Sequence, residues 1–424
     1  MTLKTPKTDP ERMNATLQFS CQWGCTPDGG MNRLALNDDD AIVRRWFISE
    51  AKELGCSVSL DAMGNIFAVR PGRREIPPIA VGSHLDTQPT GGRYDGILGV
   101  LAGLEILKAL HEAEYETDYP IAVVVWTNEE GARFVPSCLG SSVYAGAMSL
   151  EYGHSRTDTD GVTVLHELQR HGMLGSLPAS HAANPLSAHF ELHIEQGPVL
   201  FEAGQAVAAV VGVQGWQWFE IALQGRGSHA GTTPYGYRRD PLIAFAKLVL
   251  AAEEIAKSHG GLCTIGRVGS AAIQSTNCVM DDVVFHLDLR HGDKSGMEKL
   301  EEAMRCEFAR IVAAEDGVRI ARWDTLTAVE PTVFDIKAVQ CIREAVQAVG
   351  GALEDLVSGA GHDSVYTART CPTAMCFIRC RDGISHHPSE YATPEDIAAG
   401  TEALLQAVVA YERKMAAKLA KVDE

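Results

Sequence analysis

The chain has 424 residues, with 37 Lys and Arg against 55 Asp and Glu, a formal net charge of −18. Its 46% apolar and 22% charged residues are globular proportions, which excludes global disorder, and such acidity argues against nucleic acid or an anionic membrane as partner. No apolar run reaches the roughly 20 residues that a membrane span needs, and the N-terminus lacks the apolar stretch of a secretory signal. Eleven scattered cysteines with no CxxC read as reduced core thiols of a cytoplasmic protein.

In chain order, the apolar residues Ile42, Val43, Trp46, Phe47, Ala51 and Leu54 recur at helical spacing behind an Asp cap, which predicts a helix over 39–54. Short strands are predicted at 57–61, 66–70 and 78–83, an apolar helix at 96–110 and a continuous apolar strand at 121–127. Such a run suits a sheet covered on both faces, and the alternation of strand and helix suggests a doubly wound α/β core. The middle of the chain changes character. Strand 216–223, helix 240–259, strands 263–268 and 283–290, helix 294–316 and strand 318–324 follow the β-α-β-β-α-β order of a ferredoxin-like unit. Helix 336–349, strand 373–379 and helix 394–414 then resume the first pattern. The expectation is a two-domain α/β protein: a catalytic domain from 1–211 and 331–424, interrupted by an inserted α+β domain over 212–330.

Five segments carry candidate chemistry. His84 ends a buried strand in PIAVGSHLDT, and Asp86, two residues on, falls on the same side. A carboxylate there can fix the tautomer of a metal-binding imidazole, although a lone strand-end His is more often structural. Asp95, in GGRYDGILGV, occupies a Gly-rich turn before a helix, the place of an N-cap or of a bridging carboxylate. Glu129 and Glu130 follow the apolar strand in VVVWTNEEGARF. Ligands bind beyond the carboxyl ends of strands in open α/β sheets, and two carboxylates there repel unless a cation or a shared proton intervenes; the alternative is a solvated acidic turn. His189, Glu191, His193 and Glu195 alternate with Phe190, Leu192 and Ile194, a polar face that would also suit the wet side of an edge strand. His386 and His387 lie in a loop, DGISHHPSE, after the strand TAMCFIRC. As a set these His and carboxylate residues are the inventory of a two-metal site for a borderline divalent ion. No P-loop, no GxGxxG opening a helix and no GxSxG elbow occurs.

The segments GSHLDT, GGRYDG, TNEEGARF, HIEQGP, GRGSHAGTTP, SGAGHDS and GISHHPSE resemble, in order and over residues 10–415, the hydantoinase/carbamoylase branch of the M20 dinuclear metallohydrolases. That branch holds N-carbamoyl-L-amino-acid hydrolases, β-ureidopropionases and allantoate amidohydrolases. The resemblance implies a dinuclear-metal aminopeptidase-like α/β catalytic domain with an inserted ferredoxin-like lid and dimerisation domain. It implies two divalent ions per subunit, zinc first, with manganese, cobalt or nickel also compatible. His84 and His193 would hold one ion, Glu130 and His386 the other, and Asp95 would bridge them. Glu129 would be the general acid/base, with Asp86 orienting His84. Gln196 and His362, and from the inserted domain His229, Asn277 and Arg290, would bind substrate; the planar fork of Arg290 suits a carboxylate. The implied activity is metal-dependent hydrolysis of the carbamoyl C–N bond of N-carbamoyl-β-alanine or N-carbamoyl-L-α-amino acids to the amino acid, ammonia and carbon dioxide. It would be carried out by a homodimer on a small ureido or amide substrate, with no nucleic-acid or membrane partner. The alternatives are an allantoate-type amidohydrolase, a peptidase or N-acyl-amino-acid deacylase of the same fold, and a catalytically silent metal-binding dimer. Glu129 beside a full ligand set speaks against the last.

Overall fold

A computed structural model describes residues 6–271, 275–352 and 355–421. In chain order the strands are β1 (Ser57–Leu60), β2 (Ile66–Arg70), β3 (Ile79–His84), β4 (Ile121–Trp126), β5 (Ala188–Ile194) and β6 (Val207–Val213). They continue with β7 (Gly215–Gln224), β8 (Ser228–His229), β9 (Leu262–Gly269), β10 (Cys278–Val279), β11 (Asp282–His291) and β12 (Arg319–Val329). The last three are β13 (Thr332–Val333), β14 (Leu356–Ser358) and β15 (Thr373–Ile378). The chain folds as two compact units, one formed by the residues up to Val211 together with those from Val333 on, the other by Gly212–Thr332.

The first unit is a mixed α/β structure on a nine-stranded sheet, ordered β1-β2-β4-β3-β5-β15-β6-β13, with β14 beside β6. The four central strands β4, β3, β5 and β15 run parallel, while β1 with β2, β2 with β4, and β15 with β6 are antiparallel. Every residue of β3, β4, β5 and β15 is buried, as a parallel sheet covered on both faces requires. The helices Ile97–Glu112 and Pro394–Ala420 pack on this sheet and on each other. The alternating His and Glu residues of β5 therefore do not face water: β5 lies between β3 and β15, and its polar side chains point into the protein. The helix Asp38–Glu53 is capped by Asn37, whose side chain accepts from the Asp40 N–H, one residue earlier than the predicted Asp cap.

In the second unit the order β12-β7-β11-β9 forms a four-stranded antiparallel sheet. The helix Pro241–Ser258 connects β7 to β9 and Lys294–Ala313 connects β11 to β12, so the chain runs β-α-β-β-α-β apart from the short ribbon of β8 and β10. Alternate residues Phe219, Ile221 and Leu223 of β7 and Val283, Phe285, Leu287 and Leu289 of β11 point to one face. There they meet Ala244, Leu248, Ala252 and Ala256 of one helix and Leu300, Met304 and Phe308 of the other. Strand β12 runs to Val329, beyond the predicted end at 324, because it pairs with β7 along its whole length. All eleven cysteines are free, and no helix among the described residues is long and apolar enough to cross a membrane.

Candidate metal centre

The parallel strands bring their carboxyl ends to one edge of the sheet, the usual ligand edge of an open α/β fold. His84 is the last residue of β3, in register with Trp126 of β4, and His193 of β5 lies opposite Phe377 of β15. The loop leaving β4 carries Glu129 and Glu130, the loop after β15 carries His386, and the turn before the helix Ile97–Glu112 carries Asp95. That turn needs glycine. Gly96 has φ +69°, and a Cβ there would run into the imidazole of His84.

Asp95 is the centre of the group. Its Oδ1 lies 3.1 Å from Nε2 of His193 and 3.5 Å from Nε2 of His84, and its Oδ2 lies 3.3 Å from Nε2 of His386. Nε2 of His386 is 3.4 Å from Oε2 of Glu130, and Nε2 of His84 is 3.5 Å from Oε2 of Glu129. His387, by contrast, is exposed, and its Nδ1 accepts from the Ser389 N–H at 3.1 Å. Two triplets that share Asp95, namely His84 with His193 and Glu130 with His386, each keep their ligand atoms within 4.8 Å of one another.

These residues fit a cation. Nδ1 of His84 lies 2.9 Å from the Asp86 carbonyl oxygen, and Nδ1 of His193 lies 2.9 Å from that of Ile194. A carbonyl only accepts, so both rings donate from Nδ1 and turn Nε2 outward, toward Asp95. Both Nε2 atoms, and Oε1 of Glu130, are buried without a hydrogen-bond partner. Lone pairs aimed at carboxylate oxygens repel unless a positive charge lies between them. Among the described residues no Lys or Arg pairs with Asp95, Glu129 or Glu130. A third triplet, Glu191, His193 and His362, does not fit in the same way. Both Glu191 oxygens already accept, from Ser83 at 2.8 Å and Ser364 at 2.6 Å, and His362 Nε2 is 2.8 Å from Ser358 Oγ.

The electrostatics follow from burial. Glu130 is pushed up to about 7 by burial and by neighbouring Asp95. Glu129 is raised by burial, with Asp363 and Glu130 adding to it. His386 is lifted to about 9, chiefly by its hydrogen bond to Asp95. Burial alone would lower His84, yet Glu129 and Asp95 outweigh it and hold the imidazole well above its usual range.

Around the centre, Asp86 departs from the expected geometry. Its carboxylate stands 3.9 Å from Nδ1 of His84; the ring is oriented by the Asp86 main-chain carbonyl, because the carboxylate accepts from the N–H groups of Glu129 and Glu130 instead. Gln196, at φ +57°, donates from its amide to Asp95 Oδ2 at 2.8 Å, and its carbonyl oxygen has no partner. His362 packs edge-on against His193, with ring centroids 4.6 Å apart, and burial, then His193, keeps it neutral. Several residues that the sequence did not single out also belong to this group. Gln88 donates to Oε2 of Glu130 at 2.8 Å. The Cys138 thiol and N–H bond Glu129 through Oε1 and the main-chain oxygen, at 3.4 and 2.7 Å. Asp363 and Glu390 are both buried carboxylates. The last two sit inside SGAGHDS and GISHHPSE, beside His362 and His386.

In the second unit His229 and Asn277 are brought together by the β8–β10 ribbon, with Ala230 N–H donating to the Asn277 carbonyl at 2.8 Å. Nδ1 of His229 accepts from Gly231 and Thr232 N–H at 3.1 and 3.2 Å, which leaves Nε2–H as a donor. Arg290 is elsewhere. It lies at the far end of β11 from this ribbon, a strand length of about 26 Å from Asp282 at 3.3 Å per residue, and pairs with Asp288 at 2.9 Å.

Known proteins resemble this chain over nearly its whole length. The chain is 37% identical over 409 residues to the N-carbamoyl-L-amino-acid amidohydrolase of Rhizobium meliloti, covering 95% of this chain and 96% of that protein. It is 36% identical over 403 residues to the N-carbamoyl-L-amino acid amidohydrolase of Geobacillus stearothermophilus, covering 94% and 97%. The crystal structure of a hydantoinase/carbamoylase family amidase from Burkholderia multivorans superposes with a TM-score of 0.91 at 43% identity, covering 96% of this chain and 99% of that one. The pattern of Peptidase family M20/M25/M40 matches residues 80–410, and the chain belongs to that family.

Proposed function

We propose that the protein is a metal-dependent amidohydrolase that cleaves the carbamoyl C–N bond of N-carbamoyl amino acids, with two divalent ions held by His84, His193, Asp95, Glu130 and His386. The observation that carries this reading is the pair of buried Nε2 atoms on His84 and His193, both directed at Oδ1 of Asp95 and neither with a hydrogen-bond partner. Divalent cations bound there would supply Lewis acidity, which would lower the pKa of water toward neutrality and offset charge on a carbonyl oxygen under attack. Glu129, raised by burial and held at both its side chain and main chain by Cys138, takes the proton of the attacking water and returns it to the departing nitrogen. Gln196 turns its free carbonyl oxygen to the ureido N–H groups, and neutral His362 packs behind His193. His229 offers its Nε2–H to the developing oxyanion, Asn277 adds a further hydrogen bond, and Arg290 grips the substrate carboxylate in place of Asp288.

The inserted unit is proposed as a lid and dimerisation domain. Arg290 and the His229–Asn277 ribbon lie too far apart within one unit for a single carbamoyl amino acid to touch both. Two copies can supply the two ends, which supports a homodimer.

The decisive test is ammonia release from N-carbamoyl-β-alanine, several N-carbamoyl-L-amino acids, allantoate, an acetyl-amino acid and a dipeptide, after chelation and after return of Zn, Mn, Co or Ni. The expected result is metal-dependent turnover that is fastest on carbamoyl amino acids. Faster cleavage of the dipeptide or acetyl compound, or two bound ions with no hydrolysis at all, would overturn the assignment.

A further inference from the structure

We propose that Glu390 is a positioning residue that sets the bridging carboxylate: it ties the turn carrying Asp95 to the loop carrying His386, so that one side chain governs how both ions are held. The inference rests on the metal-centre reading above and concerns a residue outside that ligand set.

Oε1 of Glu390 accepts from the main-chain N–H groups of Tyr94 and Asp95, at 3.0 and 3.1 Å. Its Oε2 lies 2.9 Å from Ser385 Oγ, and the same hydroxyl lies 3.1 Å from Oδ2 of Asp95. Glu390 therefore acts on Asp95 twice, through its backbone and through the hydroxyl that its carboxylate shares. Ser385 directly precedes His386, and the Glu390 N–H is itself bonded to the carbonyl of His387 at 3.0 Å, so both ends of the strut are anchored. The side chain is 3% exposed and its bonds span segments nearly the whole unit apart in sequence. Gly92, in the same turn as Asp95, has no room for a Cβ because the Glu390 side chain fills that space. Asp95 must present Oδ1 to two imidazoles and Oδ2 to a third. A carboxylate with that many simultaneous demands works only if its backbone is fixed, and outer partners of this kind typically change metal affinity 10- to 100-fold.

The test uses the full-length protein and measures Zn²⁺ and Mn²⁺ binding by equilibrium dialysis in chelator-buffered solutions, with near-UV circular dichroism to confirm the fold. Affinity measured on folded protein does not move with a mere loss of global stability. Glu390→Ala and Glu390→Asp, the latter one methylene short of the two N–H groups, are expected to bind both ions at least tenfold more weakly. Glu390→Gln is expected to stay within about threefold of wild type. Its oxygen still accepts from Tyr94 and Asp95, while its amide donates to Ser385 and leaves that hydroxyl proton to Asp95. Wild-type affinity in the Ala or Asp variant overturns the proposal, as does a Gln variant as weak as Ala. Failure of both Ala and Asp variants to fold also overturns it, since the residue would then be a general structural one. A wild-type protein that binds no divalent ion would instead overturn the metal-centre reading itself.

Discussion

Asp86 and Glu129 are joined through the main chain: Oδ1 of Asp86 accepts from the Glu129 N–H at 3.3 Å. Its Oδ2 accepts from the next N–H, that of Glu130, at 3.2 Å. One carboxylate thus holds the main chain of two neighbouring glutamates for which different duties are proposed. An amide cannot replace it, because its NH2 would face one of those N–H groups. Asp86→Asn should lower kcat/KM about 10- to 100-fold and weaken metal binding; steady-state kinetics with a parallel zinc titration would show it, and values within twofold of wild type would remove the residue from this role.

Glu129→Gln keeps shape and removes the proposed base. Turnover should fall about 10³-fold while the metal content, read by elemental analysis, stays at the wild-type level. Wild-type turnover would rule out the proton-shuttle role.

Gly96→Ala tests the turn. At φ +69° and ψ −57°, the centre of a γ-turn closed by the Ile97 N–H on the Asp95 carbonyl, an L side chain costs on the order of 1–3 kcal/mol, and the new methyl displaces the ring of His84. Urea unfolding should show the stability loss, and metal content should drop with it. A fully metallated, equally stable variant would contradict the geometry.

His189 predicts a pH effect away from the ligands. Burial holds this imidazole neutral, down to about 3, and its Nε2 accepts from Trp126 Nε1 at 3.2 Å. The unfolded chain takes up a proton below about pH 6.5 that the folded chain refuses. The contribution is therefore complete above pH 6.5 and is lost progressively as the pH falls towards 3. At pH 5 the loss is about 2 kcal/mol relative to neutral pH. His189→Gln should flatten the decline between pH 7 and 5 in urea titrations; an unchanged slope would mean that the buried ring is not its source.

Much of the sheet was legible because a parallel strand buried on both faces shows as an unbroken apolar run, as in IAVVVW of β4, and because the helices that matter are long. The helices Leu139–Tyr144 and Leu150–Ser155 were not, since six residues hold less than two turns of periodic signal. The first helix, Pro10–Ser20, had a signal that periodicity missed: Asp9 caps it and Pro10 opens it, the expected pairing at a helix start. Asp86 was placed on the correct side of β3, yet which of its oxygens met His84 depended on where a loop over forty residues away would pass. Glu390 was hidden for the same reason. A loop carboxylate has no period, and its partners Tyr94 and Asp95 are neighbours only after folding. The distance between Arg290 and His229 was likewise invisible until β7 and β11 were paired.

The parallel order of β4, β3, β5 and β15 has a consequence for biosynthesis. The candidate ligands at its four strand ends come from segments spread between His84 and His386, with the whole of Gly212–Thr332 in between. A nascent polypeptide on the ribosome can therefore assemble His84, Asp95, Glu130 and His193 early but must wait until Gly212–Thr332 has been made before His386 emerges. Until then the group of Asp95 and Glu130 stands one imidazole short while His84, His193 and Asp95 are already present, so capture of a second cation, not of the first, should wait for the later segment.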